Sequence, residues 1–341
     1  MWAWILSAAL LAPAQPIDAP VADTQPAPST WSAFEERYLL ECRAPVGISV
    51  EPVVRTVRGV KYRIEGSRVV REGAAPKRIV VGILSALKDV TPETRANVQR
   101  AVAAFKRARV DIVVANGDVA LNEFDLEEAM KLLGQTGFPT FVLIGNSEGR
   151  GAFNRAFTLA EKEYPNLFNI NWVRHVDLGV VDLVSLAGYY NRPFIHQKSG
   201  CHLAPEDVEE TGRLVDQLNA KGRTVVVVSH APPKSRGADA IDRAEQFGNV
   251  GDPEILKLID ERKIRFGLFG HILEAGGRAS SDVRLGKPAK PKKKHPQLYV
   301  NAGAASAMPW QLLGGKTARG MAMIVTIEAS GASYEVLRLR K

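Results

Sequence analysis

Four short apolar runs in this chain each end in a side chain that can hold a cation or move a proton. That repetition constrains the fold more than any other feature. Phe266–Phe269 runs into Gly270-His271, and residues 110–115 run into Asn116-Gly117-Asp118. Residues 140–144 run into Gly145-Asn146-Ser147-Glu148, and residues 224–228 into Ser229-His230-Ala231-Pro232. Each run reads as a short buried strand opening into a loop. Open α/β sheets place their sites at the carboxyl edge of such strands. Asp118, Asn146, His230 and His271 are therefore expected at strand ends. A carboxylate, an amide oxygen and two imidazoles form a ligand set suited to Mn, Fe or Zn.

In that order the motifs resemble those of the calcineurin-like metallophosphoesterases. That family carries Asp-x-His, Gly-Asp, Gly-Asn-His-Asp/Glu, a lone His and Gly-His-x-His, each after a core strand. This chain has Gly117-Asp118, Gly145-Asn146-Ser147-Glu148, His230 and Gly270-His271-Ile272-Leu273. The first motif would follow Ile79–Leu84, where the chain reads Ser85-Ala86-Leu87. The resemblance covers the chain from Arg78 to its end and implies an α/β fold of two packed mixed sheets flanked by helices. It also implies a two-metal site of which half is kept. One metal of the family takes the Asp and His of the first motif, a shared aspartate and the last His of Gly-His-x-His. Ser85, Leu87 and Leu273 stand at its private positions. The other metal takes residues that match Asp118, Asn146, His230 and His271, all present. The proton-donating His of Gly-Asn-His is matched by Ser147.

The resemblance thus implies one divalent metal ion (Mn, Fe or Zn) and hydrolysis of a phosphoric ester, with a phosphate-containing substrate or ligand as partner. The alternative is a non-catalytic binding protein that keeps the fold and one or no metal. A third reading is an ordinary doubly wound α/β protein. No catalytic residue is assigned. Glu148 is expected to cap a helix and Asp89 to belong to the turn before Thr91-Pro92. His196 and His202 lie in a loop able to fold over the site.

The N-terminus is apolar through Leu11, followed by Ala12-Pro13-Ala14, in the manner of a signal peptide without the usual early Lys or Arg. Residues 1–14 are read as that leader, which implies export to a periplasmic or extracellular space. No later apolar run is long enough to span a membrane. Cys42 and Cys201 could pair in an oxidising compartment or stand as two buried thiols. The net charge is +8, part of it in Lys287, Lys290, Lys292, Lys293 and Lys294. These are read as a solvated, mobile loop. No aromatic residues interleave with them, so there is no nucleic-acid stacking signal. Oligomeric state is not readable.

Along the chain, residues 15–30 form a Pro/Ala-rich linker. Residues 31–76 form an N-terminal elaboration: a helix opened by a capping box at Ser32, and a hairpin over residues 53–72. Residues 77–341 form the metallophosphoesterase-like domain. Strands and helices alternate through it, and hairpins are expected around Asp177-Leu178-Gly179 and between residues 321–328 and 334–339.

Overall fold

The computed structural model describes residues 27–340. The expected leader and most of the expected linker lie outside the described residues. Two sheets face each other. In the six-stranded sheet, Ile79–Leu84, Ile112–Asn116, Thr140–Leu143 and Leu167–Asn169 run parallel, and the hairpin of Met321–Glu328 and Gly331–Arg338 closes one edge. The ten-stranded sheet has a parallel centre of Asp182–Leu186, Val225–Ser229, Phe266–Phe269 and Leu298–Asn301. The four apolar runs are thus central strands, two in each sheet.

Successive strand residues point to opposite faces, and the core divides accordingly. Val226 and Val228 join the cluster between the sheets. Val225 and Val227 pack outward with residues of the helices Pro205–Ala220 and Pro253–Glu261. Each such buried side chain contributes about 1.5–3 kcal/mol. The helix Pro92–Arg107 starts where expected, with Thr91 accepting from the Thr94 amide and proline in the first turn.

The N-terminal elaboration departs from expectation in three ways. The first helix is Trp31–Tyr38, capped by the Thr30 hydroxyl rather than by Ser32. Starting there lets Trp31, Phe34 and Tyr38 share the buried face, while Cys42 lies beyond the helix. The hairpin is a three-stranded meander: Val53–Val57, Val60–Glu65 and Arg68–Arg71. Arg58 and Gly59, both at positive φ, make its first tight turn. The meander also belongs to the main sheet, because Arg68–Arg71 pairs in parallel with His175–Asp177.

Cys42 and Cys201 are joined as a disulfide, with Cα atoms 5.4 Å apart. The bond fastens the segment after the first helix to the loop that precedes the helix Pro205–Ala220. The lysine run is not a free loop. Lys287–Pro288 is an edge strand, the Lys292 amide donates to the Tyr334 carbonyl at 2.8 Å, and Lys294 Nζ meets Glu328 at 2.5 Å. Backbone pairing, invisible to composition, holds it to the sheets.

Candidate metal centre

All four sequence-predicted residues meet at one point between the carboxyl ends of the two sheets. Asp118, Asn146 and His230 are buried, and His271 is partly so. The loops that carry them are unusually tight. Asp118 and His271 hold left-handed backbone angles (φ 54° and 66°), which cost energy in residues with a side chain. Gly117 also has positive φ, and a Cβ there would strike the His230 ring. A side chain at Gly145 would strike Asp118. The Gly-Asp and Gly-Asn pairs are therefore steric requirements of the close approach.

The hydrogen bonds fix which atoms point inward. His230 Nδ1 lies 3.0 Å from the Asn116 carbonyl and donates to it, which leaves Nε2 facing the centre. Asn146 Nδ2 donates to the Phe194 carbonyl at 2.6 Å, which turns its Oδ1 inward. His230 Nε2 is 2.9 Å from Asn146 Oδ1, 3.2 Å from His271 Nδ1 and 3.3 Å from Asp118 Oδ1. His271 Nδ1 is 3.1 Å from Asn146 Oδ1. Asp118 Oδ1 is buried without a hydrogen bond of proper geometry. Four electron-pair donors converge, at separations expected of ligands about 2.0–2.2 Å from a shared ion. Either a proton or a cation at that point relieves their repulsion. The donor set therefore fits a divalent ion.

The electrostatics follow from this crowding. Burial pulls His230 down, but the Asp118 carboxylate pulls it up further, and its pKa is raised. Burial and the charge on His230 push His271 down to about 3. Burial alone would raise Asp118, yet His230 and Lys88 hold its carboxyl well below the usual carboxylate range. Among the described residues, no three or more His, Cys, Asp or Glu side chains form a metal cage by themselves. The centre relies on the Asn146 amide oxygen as a fourth donor, and Lys88 takes one oxygen of its carboxylate.

Other residues find different roles from those expected. Glu148 does not cap the helix Arg150–Glu163, whose N-terminus has no side-chain cap. It is buried beneath the centre instead, where it accepts from the amides of Val119, Ala120 and Gly145. Burial and Asp118 push its carboxyl up to about 7. Its oxygens are taken by those buried amides, which need an acceptor. Asp89 accepts from Thr91 and Ser306, as a turn residue does. His196 does fold over the site: its amide donates to the Asn146 carbonyl at 2.9 Å. His202 turns away to the Tyr190 carbonyl. The Tyr189 ring packs on His271 with centroids 4.2 Å apart. Ser147 Oγ is buried with no partner. Lys88 carried no signal in the sequence, because nothing local shows that its side chain folds back onto Asp118.

The model of the calcineurin-like phosphoesterases matches residues 89–275, more than half of the chain. The chain belongs to the calcineurin-like phosphoesterase family. The matched stretch begins after Ser85 and Leu87, at the place where the metallophosphoesterase motifs of the sequence become recognisable. No curated protein sequence matches this phosphoesterase-family chain. Among solved structures, purple acid phosphatase PPD1 from yellow lupin seeds superimposes with a TM-score of 0.50 at 11% identity, over 82% of this chain and 54% of that one. A dimetal phosphatase from Danio rerio gives 0.49 at 10% identity, over 78% and 100%. GAP50, the anchor in the inner membrane complex of Plasmodium, gives 0.47 at 14% identity, over 78% and 86%. At such identities the likeness concerns the fold alone.

Proposed function

We propose that this protein is a one-ion metallophosphoesterase, in which Asp118, Asn146, His230 and His271 hold a single divalent cation and a phosphoric ester is hydrolysed there. The observation that supports this reading is the convergence of two imidazole nitrogens, an amide oxygen and a carboxylate oxygen within about 3 Å of one another. When bound, the ion supplies Lewis-acid polarisation of a phosphoryl oxygen and an acidified water. The chain's own residues do the positioning. Asn116 holds the His230 tautomer, the Phe194 carbonyl holds the Asn146 amide, and Tyr189 backs the His271 ring. His196 lies beside Asn146 at the open side of the centre, with its Nε2 3.5 Å from Asn146 Nδ2.

A second reading, a binding protein without turnover, is favoured by a specific observation. Leu87 and Leu273 are packed into the core where the family has histidines, and Ser147 replaces the proton donor. Turnover of a chromogenic phosphodiester and of a phosphomonoester with added Mn(II) separates the two readings. The enzyme reading requires turnover that His271→Ala abolishes. No turnover despite one bound ion per chain establishes the binding protein. Turnover unchanged in His271→Ala rules out this site as its source.

We place the mature protein in an exported, oxidising compartment, a reading supported by the Cys42–Cys201 bond and the apolar N-terminus. Retention of that disulfide in protein recovered from the periplasm or medium, and its absence from cytosolic protein, tests the assignment.

A further inference from the structure

The second oxygen of Asp118 faces away from the imidazoles, toward Lys88. Lys88 Nζ lies 2.8 Å from Asp118 Oδ2, and both side chains are more than nine-tenths buried. The lysine is held there by several independent features. Its backbone is left-handed (φ 64°), as is that of Ala86 (φ 49°). Its amide donates to the Asp118 carbonyl at 3.1 Å, and the Ala86 amide donates to the Gly117 carbonyl at 3.0 Å. The ammonium also stands 5.7 Å from the centre of the Trp310 ring. Trp310 packs in turn on Leu273, Ala86 and Ala304. Ser85 Oγ is spent on the Asn116 carbonyl. On this side of the shared aspartate Ser85, Leu87 and Leu273 stand where the family has metal ligands, and an apolar wall and one fixed cation are found there. Burying a lysine is costly unless it is paired, and strained backbone persists only where its surroundings enforce it.

We propose that the Lys88 ammonium takes the position and part of the charge of the family's first metal ion, making this a centre of one exchangeable ion and one built-in cation. The proposal deepens the one-ion reading above and rests on it for the identity of the neighbouring ion. Lys88 neutralises the outer oxygen of Asp118 and presents a positive charge to the same space that a second divalent ion would fill. Its like charge weakens the hold on the retained ion and excludes a second one.

The test is metal stoichiometry and affinity in the full chain, with Mn(II) as probe. Calorimetry on metal-stripped protein should show one ion in the wild type. Lys88→Ala should bind Mn(II) about tenfold more tightly or better, because a like charge a few ångströms away is removed. Lys88→Arg should stay near the wild-type value. Weaker or unchanged binding in Lys88→Ala, with its melting temperature preserved, overturns the proposal. A second arm restores the missing ligands. Ser85→Asp, Leu87→His and Leu273→His combined should still take one ion, and adding Lys88→Ala should bring the count to two. Two ions already present with Lys88 in place overturn the proposal. No ion in the wild type defeats the one-ion reading instead, and the contrast between triple and quadruple variants then still decides the role of Lys88.

Discussion

Two buried polar clusters lie on neighbouring parts of this molecule and are built on opposite rules. Around Arg174 every contact is a donor meeting an acceptor. Its guanidinium donates to the Ala44 and Ser185 carbonyls, the Glu210 carboxylate and the Thr211 hydroxyl. Around His230 two imidazole nitrogens, an amide oxygen and a carboxylate oxygen crowd one point, on loops whose backbone is strained at Asp118 and His271. The first arrangement stabilises the chain without help. The second is held together by whatever positive charge sits at its centre, a proton on His230 or a cation, as expected of a site and not of a structural knot. A buried polar group is therefore informative by its pairing, not by its burial.

The largest expected effect strikes the satisfied cluster. Arg174→Met should cost about 3–5 kcal/mol, because Glu210 and two carbonyls lose their donor. His230→Gln in metal-free protein should cost far less. Chemical denaturation with chelator present measures both, and equal losses would erase the contrast drawn here.

Next comes the bond that joins the two clusters. Arg174 grips the segment carrying Cys42 through Ala44, and Cys201 sits on the loop whose Phe194 carbonyl orients Asn146. Cys201→Ala should lower stability by about 2–4 kcal/mol and weaken Mn(II) binding as well. Loss of stability with unchanged affinity would show that the loop is held by other contacts.

Adding Mn(II) at a hundredfold excess over its dissociation constant should stabilise the wild type by about 2.7 kcal/mol and leave His271→Ala unmoved. A thermal shift of the same size in both proteins would place the ion elsewhere.

The smallest effect concerns Glu35, a half-buried polar group of mixed character. Burial and the neighbouring Glu161 push its carboxyl up to about 9 from 4.5. A carboxyl raised on folding costs nothing below about pH 4.5, and its cost grows as pH rises toward 9. Glu35→Gln should therefore stabilise the protein by about 1–2 kcal/mol at pH 8 and by nothing measurable at pH 4. Stabilisation that does not change with pH would assign the effect to packing.

Much of this was legible in the chain. The apolar runs ending at Asp118, Asn146, His230 and His271 gave the parallel strands and the family, because burial on both faces of a strand leaves a local mark. Helix starts such as Thr91-Pro92 were legible because a cap and a first-turn proline are also local signals. The cap at Thr30, the extra turn at Arg58-Gly59 that makes the hairpin a meander and the anchoring of the lysine run were not. The first two are local choices between neighbouring polar or turn residues, and the last depends on Tyr334 and Glu328, far along the chain.

What the sequence by itself determined was the order of strands and which side chains they deliver to one edge of the sheets. Hydrophobic periodicity and the polar residue that ends each apolar run are written residue by residue. Only the tertiary structure decided that Lys88 closes on Asp118, that Glu148 serves buried amides, and that Cys42 meets Cys201. Those pairings follow from packing two sheets and their loops together in space, and no window of neighbouring residues contains that information.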